Sequence, residues 1–206
     1  MLPLILIGGF IEIIELCQEC NREIIGIIDP NISESYFGIP VLGNDSNAEN
    51  ILSRHKNCEV VICPDDPLTR YRLVKYYSQF NCRFATLISP LAKLSKYGTI
   101  GIGSIIQHNI NISALSTIGK FVKLNYYCNI THNVDIGDFT TIAPNAIILG
   151  YVKVGSKTYI GANSTILPHR VVGNQVIVGA GAVVTKDISD GSIFVGNPAK
   201  QLQKLK

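Results

Sequence analysis

Hydrophobic positions change their spacing near residue 86, and the change divides the chain into two regions. In the first, short apolar runs alternate with helical patterns. Leu4–Ile7 reads as a strand ending in Gly8-Gly9, and Phe10–Asn21 carries Ile13, Ile14, Leu16 and Cys17 at helical spacing. Ile24–Ile28 reads as a second buried strand, closed by Asp29-Pro30. Gly38–Leu42 predicts a short extended segment, and Ser46–His55 a helix with Ser46 as its N-cap. Val60–Cys63 is a third strand, Pro67–Phe80 a helix and Phe84–Ile88 a last strand. Alternating strands and helices predict an α/β region over residues 1–86, a small parallel sheet flanked by helices.

From there the period is six. Ile88, Leu94, Ile100, Ile106, Ile112, Ile118, Leu124, Ile130, Ile136, Ile142, Ile148, Val154, Ile160, Ile166, Val172, Val178 and Val184 recur without an insertion. A helix requires a period of 3.6 and a flat strand a period of 2, so neither explains the pattern. A fixed six-residue repeat predicts a parallel β-helix over residues 87–206, three short strands making one triangular coil of eighteen residues. Coils stack at about 4.8 Å, so each inward aliphatic side chain is expected to lie on its neighbours above and below. Gly101, Gly119, Gly137, Gly155 and Gly173 fall eighteen apart, where the chain is expected to turn a corner.

Composition narrows the class. Charged residues make up 16% of the chain, under the usual ~25%, and the formal net charge is +3. Neither a disordered charged tail nor an electrostatic footprint for nucleic acid is present. No apolar run approaches a membrane span, and the opening residues lack the basic segment of a signal peptide. Cys17, Cys20, Cys58, Cys63, Cys82 and Cys128 are scattered through apolar segments and read as free thiols of a cytoplasmic protein; Cys17-x-x-Cys20 has no second pair for zinc. Between Ile100 and Val184 the only formal charges on the prism exterior are Lys120, Lys123, Asp135, Asp138, Lys153, Lys157 and Arg170. Faces so poor in charge invite association, and a homotrimer would cover them.

Several segments carry a resemblance: Leu-Ile-Leu-Ile-Gly-Gly at the start, Ile-Ile-Gly-Ile-Ile-Asp29, Gly38-Ile-Pro-Val-Leu-Gly43, Thr131-His-Asn-Val-Asp-Ile-Gly-Asp138, Gly179-Ala-Gly-Ala-Val-Val-Thr-Lys186 and Val195-Gly-Asn-Pro-Ala-Lys200. Over nearly its whole length the chain resembles the hexapeptide-repeat acetyltransferases, more narrowly the nucleotide-aminosugar N-acetyltransferases and sialic acid O-acetyltransferases. The resemblance implies a Rossmann-like N-terminal domain that holds the nucleotide and a left-handed β-helix. It also implies a trimer taking acetyl-CoA in the groove between subunits, with no metal and with a histidine as general base. The expected acceptor is the amine of a nucleotide-linked amino sugar, in surface glycan assembly.

His132 follows Ile130-Thr131, at a corner, and its neighbours one coil away are Ala114 and Gly150. The resemblance places the base at His132 and an amide donor to the thioester oxygen at Gly150, roles an imidazole and an unobstructed N–H can fill. The family commonly has Glu or Asp after this histidine. Here Asn133 can fix a tautomer but supplies no charge, and Asp135 and Asp138 lie nearby. Asn125 matches an acceptor-contacting asparagine, or is a ladder asparagine satisfying backbone groups. Pro144, Ala162 and Ala180 form a small-residue strip suited to pantetheine, or only to tight corners; Lys186 and Lys200 could meet CoA phosphates or simply be solvated. Gly8, Gly9 and Phe10 could offer amides to a phosphate, and Asp29 a nucleotide contact or a turn. Cys128 shares its strip with Ile110 and Ala146, which suggests an inward position and direct transfer.

Three other readings stay open. One is O-acetylation of a sialic-type acid. A second is a zinc lyase, for which His108, His132 and His169 would have to converge. The third is a nucleotide-sugar binder that kept the scaffold without the chemistry.

Overall fold

The structure, a computed structural model, describes residues 1–202. Its first part contains β1 (Leu4–Ile7), α1 (Ile11–Glu19), β2 (Ile24–Ile28), β3 (Ser35–Tyr36), β4 (Ile39–Gly43), α2 (Ala48–Arg54), β5 (Glu59–Ile62), α3 (Pro67–Tyr77) and β6 (Arg83–Phe84). The strands form one sheet in the order β3-β4-β2-β1-β5-β6. All neighbours are parallel except the β3–β4 hairpin. β1 is buried along its whole length, as a continuous Leu-Ile-Leu-Ile run between two helical layers demands. Chain order runs outward from β1 through β2 to β4, then returns to β5 on the other side of β1. The loops after β1 and β5 therefore diverge and leave a crevice at the carboxyl ends of these strands.

Two details differ from the sequence reading. Ser46 is not the cap of the second helix. A 3₁₀ turn at Asp45–Asn47 precedes α2 and is capped by Asn44, which accepts Ser46 N–H at 3.0 Å and donates its own N–H to Asn47 Oδ1 at 2.9 Å; Asn47 stands at the start of α2 with no side-chain cap of its own. A short amide two residues upstream reaches the open N–H groups before the Ser46 hydroxyl can. The run Phe84–Ile88 is not one strand. Ala85 N–H still bonds Val60 O at 2.9 Å, while Leu87 N–H bonds Ser104 O at 3.0 Å. The chain changes partner inside an apolar run that is buried on both sides, so hydrophobicity does not mark the bend.

From Leu87 onward two-residue strands stack into a three-sided parallel prism, with sheets of eight, six and five strands. Each inward aliphatic of the middle coils is buried, Leu124, Ile130, Ile142, Ile148 and Ile160 completely. The first coil departs from expectation: Leu94 is 38% exposed, because no coil lies beneath it. At the far end Phe194 and Ala199 pack against the interior, and Lys200–Gln201 folds back antiparallel on Ile193–Val195.

The three corners of a coil are the first, after the eight-stranded sheet (Asn125–Cys128), the second, after the six-stranded sheet (Thr131–Val134), and the third, after the five-stranded sheet (Gly137–Thr140). At every corner the turn is made by a left-handed residue, from Asn109 to Gln175 at six-residue intervals, with φ between 54° and 62°. The spaced glycines are not those residues; they stand two places earlier. They are small because coils approach closely there: a Cβ on Gly155 would lie 2.6 Å from Asn174 N, and one on Gly137 2.6 Å from Ser156 N. Corner backbone is satisfied by buried hydroxyls. Ser104, Ser116, Thr140 and Thr158 each donate to a carbonyl fifteen residues on and accept an N–H eighteen residues on.

The flat sheet lies against the third corner and the eight-stranded face. Asp66 accepts Thr69 N–H at 2.7 Å and Pro67 opens α3, which sets the helix that carries Arg70. Arg70 is buried, and its guanidinium donates to five carbonyls: Pro64, Asp65, Phe121, Phe139 and Thr140. It also donates to Thr141 Oγ1 at 2.8 Å. Burial pulls it down to about 10, against the nearby Asp65 and Asp66. Phe121 and Phe139 stack at 5.2 Å and meet Phe84 and Tyr71 edge-on. Lys123, expected among the exterior charges, is fully buried by this contact; its Nζ lies 2.9 Å from Cys63 O and 3.0 Å from Asp65 Oδ1.

Candidate active site

His132 projects from the second corner of its coil, and the turn beneath it is fixed from both sides. Ser116 Oγ donates to Thr131 O at 2.6 Å and accepts Val134 N–H at 3.1 Å, while Asn133 N–H reaches Ala114 O at 3.1 Å. The imidazole lies over Gly150: a Cβ there would come 2.8 Å from Cε1 and 3.0 Å from Nε2. Only glycine leaves the ring this position. Nδ1 sits 3.0 Å from Asn133 Oδ1. An amide oxygen is an acceptor, so in the neutral ring this contact favours the tautomer with hydrogen on Nδ1 and the lone pair on Nε2. Among the described residues Gly150 N–H has no partner, whereas Tyr151 N–H bonds His132 O at 3.3 Å and His169 N–H bonds Gly150 O at 3.0 Å. His132, Asn133 and Gly150 are therefore brought together, and Lys186 lies exposed further along the same corner. Asp138 does not face them. It belongs to the third corner, where its Oδ1 takes Lys120 N–H at 2.8 Å.

Pro144, Ala162 and Ala180 line the first corner, not the second. The amides of Ala162 and Ala180 have no partners among the described residues, although those of Gly161, Asn163, Gly179 and Gly181 all do. Lys200 stands beyond this corner, exposed on the closing strand. One chain thus holds the residues assigned to acetyl-CoA on two separate corners.

Asn125 begins the first corner and is buried, its Nδ2 donating to Asp65 Oδ1 at 3.2 Å rather than to a ladder of backbone groups. Asp65, Lys123, Glu12 (3.8 Å from Lys123 Nζ) and Phe10 (ring 5.5 Å from it) close the crevice at the ends of β1 and β5. Sequence reasoning did not assign Asp65 or Arg70. Their only local signal is Asp65-Asp66-Pro67 after a strand, which reads as a turn. Next to Asn125, Tyr126 lies 4.4 Å from His108 with the two rings tilted by 40°; burial, then Glu12, Glu15, Glu19 and Asp65, push its phenol up to about 12.

Gly8 and Gly9 offer less to a phosphate than the sequence implied. Gly8 N–H bonds Ile28 O at 2.9 Å, and Gly9 N–H bonds Asp29 Oδ2 at 2.9 Å. Asp29 Oδ1 takes Asn31 N–H at 2.8 Å, so this carboxylate ties β1 to β2. Of the three predicted donors only Phe10 N–H remains without a partner among the described residues.

His108 is on the first corner, and His132 and His169 are on the second with Tyr151 between them. The three do not converge within the chain, and no cluster of three metal-ligating side chains exists among the described residues. All six cysteines are unpaired, and burial pushes Cys17 and Cys128 up to about 12. Cys128 lies inward, its Sγ 2.7 Å from Asn125 O. No helix is long and apolar enough to cross a membrane.

A sequence model of the bacterial transferase hexapeptide family (six repeats) matches residues 151–186. The matched residues make up two successive coils of the prism. Among solved structures, the repeat and the flat sheet together are similar to a histidine-to-alanine variant of GDP-perosamine N-acetyltransferase from Caulobacter crescentus, in complex with CoA and GDP-perosamine. The TM-score is 0.94 and identity 25%, over 98% of this chain and 97% of that one. The acetyltransferase domain of PglB from Neisseria gonorrhoeae, with acetyl coenzyme A, is 28% identical at TM-score 0.91, over 97% and 98% of the two chains. WeeI from Acinetobacter baumannii is 28% identical at TM-score 0.89, over 98% and 100%. No curated protein matches the chain.

Proposed function

We propose that the chain is an acetyl-CoA-dependent N-acetyltransferase acting on the amine of a nucleotide-linked amino sugar. The observation that carries this reading is His132 over Gly150, with Nδ1 3.0 Å from Asn133 Oδ1 and the Gly150 amide unpartnered among the described residues. The likeness, over nearly the whole chain, to a GDP-perosamine N-acetyltransferase and to the acetyltransferase domain of PglB supports the reaction class. His132 Nε2 takes a proton from the acceptor amine as nitrogen attacks the acetyl carbonyl. Gly150 N–H receives the oxygen as it gains charge. The C–S bond then breaks, CoA leaves as thiolate, and the imidazolium returns the proton to it. No acyl-enzyme forms, since the thiol of Cys128 is buried and stays protonated at neutral pH.

The fold reading extends to a left-handed prism beside a Rossmann-like domain, with the domain boundary near residue 86. The nucleotide would enter the crevice at β1 and β5, where Asp65, Asn125 and Phe10 converge. With the phosphate-facing amides of Gly8 and Gly9 occupied, the diphosphate rests on Phe10 N–H and other contacts. The open amides of Ala162 and Ala180 on the first corner, with Pro144, fit the amide groups of pantetheine, and Lys186 and Lys200 stand toward the phosphate end. Two corners of one prism cannot enclose one ligand. The second corner of one subunit must face the first corner of another, which a cyclic homotrimer accomplishes. Placement in the cytoplasm and in surface glycan assembly accords with nucleotide-sugar chemistry.

The test is release of CoA thiol from acetyl-CoA against GDP-, UDP- and dTDP-linked 4-amino sugars and free sialic-type acids. Turnover with one amino sugar, abolished in His132→Ala, is the expected result. Turnover confined to a sialic-type acid would replace N- by O-acetylation, and tight binding without turnover would leave a scaffold without chemistry.

A further inference from the structure

His132 lacks a carboxylate, yet its role as base requires that the imidazolium be stabilised as it forms. The structure assigns this task to Tyr151, an inference that rests on His132 being the base. Tyr151 occupies the left-handed position of the next coil, eighteen residues beyond Asn133. Its ring centroid lies 5.3 Å from that of His132, and the two planes meet at 85°. The Nδ1–Cε1–Nε2 edge of His132 points toward the coil of Gly150 and Tyr151, since those atoms are the ones a Cβ on Gly150 would strike. One face of Tyr151 is stacked on His169, in the following coil, at 4.8 Å and 4°. The other face turns back toward the coil of His132. The electropositive edge of the imidazole therefore meets the electronegative face of a phenol ring, within the ~6 Å over which a cation is held by an aromatic quadrupole.

The arrangement discriminates between protonation states. A neutral imidazole gains little from the ring face, whereas an imidazolium is attracted to it; the gain appears as the proton arrives, which is when it lowers the barrier. His169 acts behind Tyr151 by fixing the plane of an otherwise half-exposed ring. Asn133 sets the tautomer and Tyr151 answers the charge, a division of two duties that one carboxylate would perform together. Tyr151 acts through His132, so it is a positioning residue.

Steady-state kinetics of the full chain with acetyl-CoA and its amino-sugar acceptor test this. Tyr151→Leu keeps apolar bulk without the quadrupole, and kcat should fall about five- to tenfold with KM for acetyl-CoA little changed. Tyr151→Phe keeps the ring face and should recover the rate to within about twofold. Adding Asn133→Asp to Tyr151→Leu returns a carboxylate to Nδ1 and should restore most of the loss, which a packing role would not allow. A silent Tyr151→Leu, or a Tyr151→Phe as slow as Tyr151→Leu, overturns the assignment. So does a double variant as slow as the single one. His132→Ala is the separate control. If it remains active, the base itself is wrong; if it is inactive while Tyr151→Leu is silent, only the role of Tyr151 fails.

Discussion

The second and third corners of the prism are cut from the same backbone and serve opposite purposes. Both turn through a left-handed residue, and both bond coil to coil through the same N–H groups. At the third corner glycines let the coils close up, and side chains take three of the spare amides: Asp138 takes Lys120 N–H, Asn174 takes Ser156 N–H and Asp190 takes Asn174 N–H. Phe121, Phe139 and Lys157 then turn outward against α3, with Lys157 Nζ 3.7 Å over the Tyr71 ring. At the second corner no side chain covers the amide of Gly150, and the left-handed positions hold Asn133, Tyr151 and His169. A corner where side chains take up most of the spare donors can be buried against another part of the protein. One whose donors are left open is available to a substrate.

Breaking the covered corner should have the largest effect. Arg70→Met removes the group that serves five carbonyls, and a loss of about 3–5 kcal/mol is expected in denaturant unfolding, with the flat sheet released from the prism. A loss below about 1 kcal/mol would show that those carbonyls find other partners. Next come two identical substitutions at the two corners. Gly155→Ala sets a methyl against the backbone of Gly173 and Asn174 and should cost about 1–3 kcal/mol of stability while sparing turnover per folded molecule. Gly150→Ala sets the same methyl against the movable ring of His132. It should cost under about 1 kcal/mol in unfolding yet lower kcat by about a hundredfold, because the ring is pushed from its place. If both variants lose stability and activity in parallel, the corners do not differ as described. A smaller effect belongs to Asn174→Ala, which uncovers Ser156 N–H and should cost about 1 kcal/mol by thermal melting. The smallest is Leu115→Asn. This exposed residue of the second corner has φ 61°, and asparagine tolerates that region, so a gain of about 0.5–1 kcal/mol is expected.

What the sequence could disclose followed from locality. The six-residue period is written in the chain because every coil repeats the same inward position, and His132, Asn133 and Gly150 could be grouped because they are one residue or one coil apart. Strands β1 and β2 are legible because a continuous aliphatic run admits little else. Contacts between the two regions are not local, and there the reading stopped. Arg70 looks like any surface arginine of a helix until Phe121 and Phe139 are brought to it, fifty-one and sixty-nine residues away. Lys123 carries the alternation of an exterior residue and is exterior to the prism, yet another part of the chain lies over it. The glycines were visible as a period, but their reason was not: spacing shows that a small residue is required, and only the stacked coils show that a neighbour's backbone requires it. The Gly8-Gly9 loop has a similar limit, since composition cannot tell that Asp29 already holds one of its amides.

The coil of eighteen residues also governs how such a protein can change length. Each residue is tied to a face by its count along the chain, so an insertion acts as a rotation of everything that follows. Six residues added after Thr140 would slide Pro144 beneath His132 and carry Gly150 round to the next face, with every aliphatic still pointing inward and the core undisturbed. The prism core would keep its packing while Thr141 left Arg70, and the site would be gone. Eighteen added residues would complete a full turn and restore each face to its partner. Length in this architecture is therefore counted in whole turns, and a chain can grow taller without losing its chemistry only in those steps.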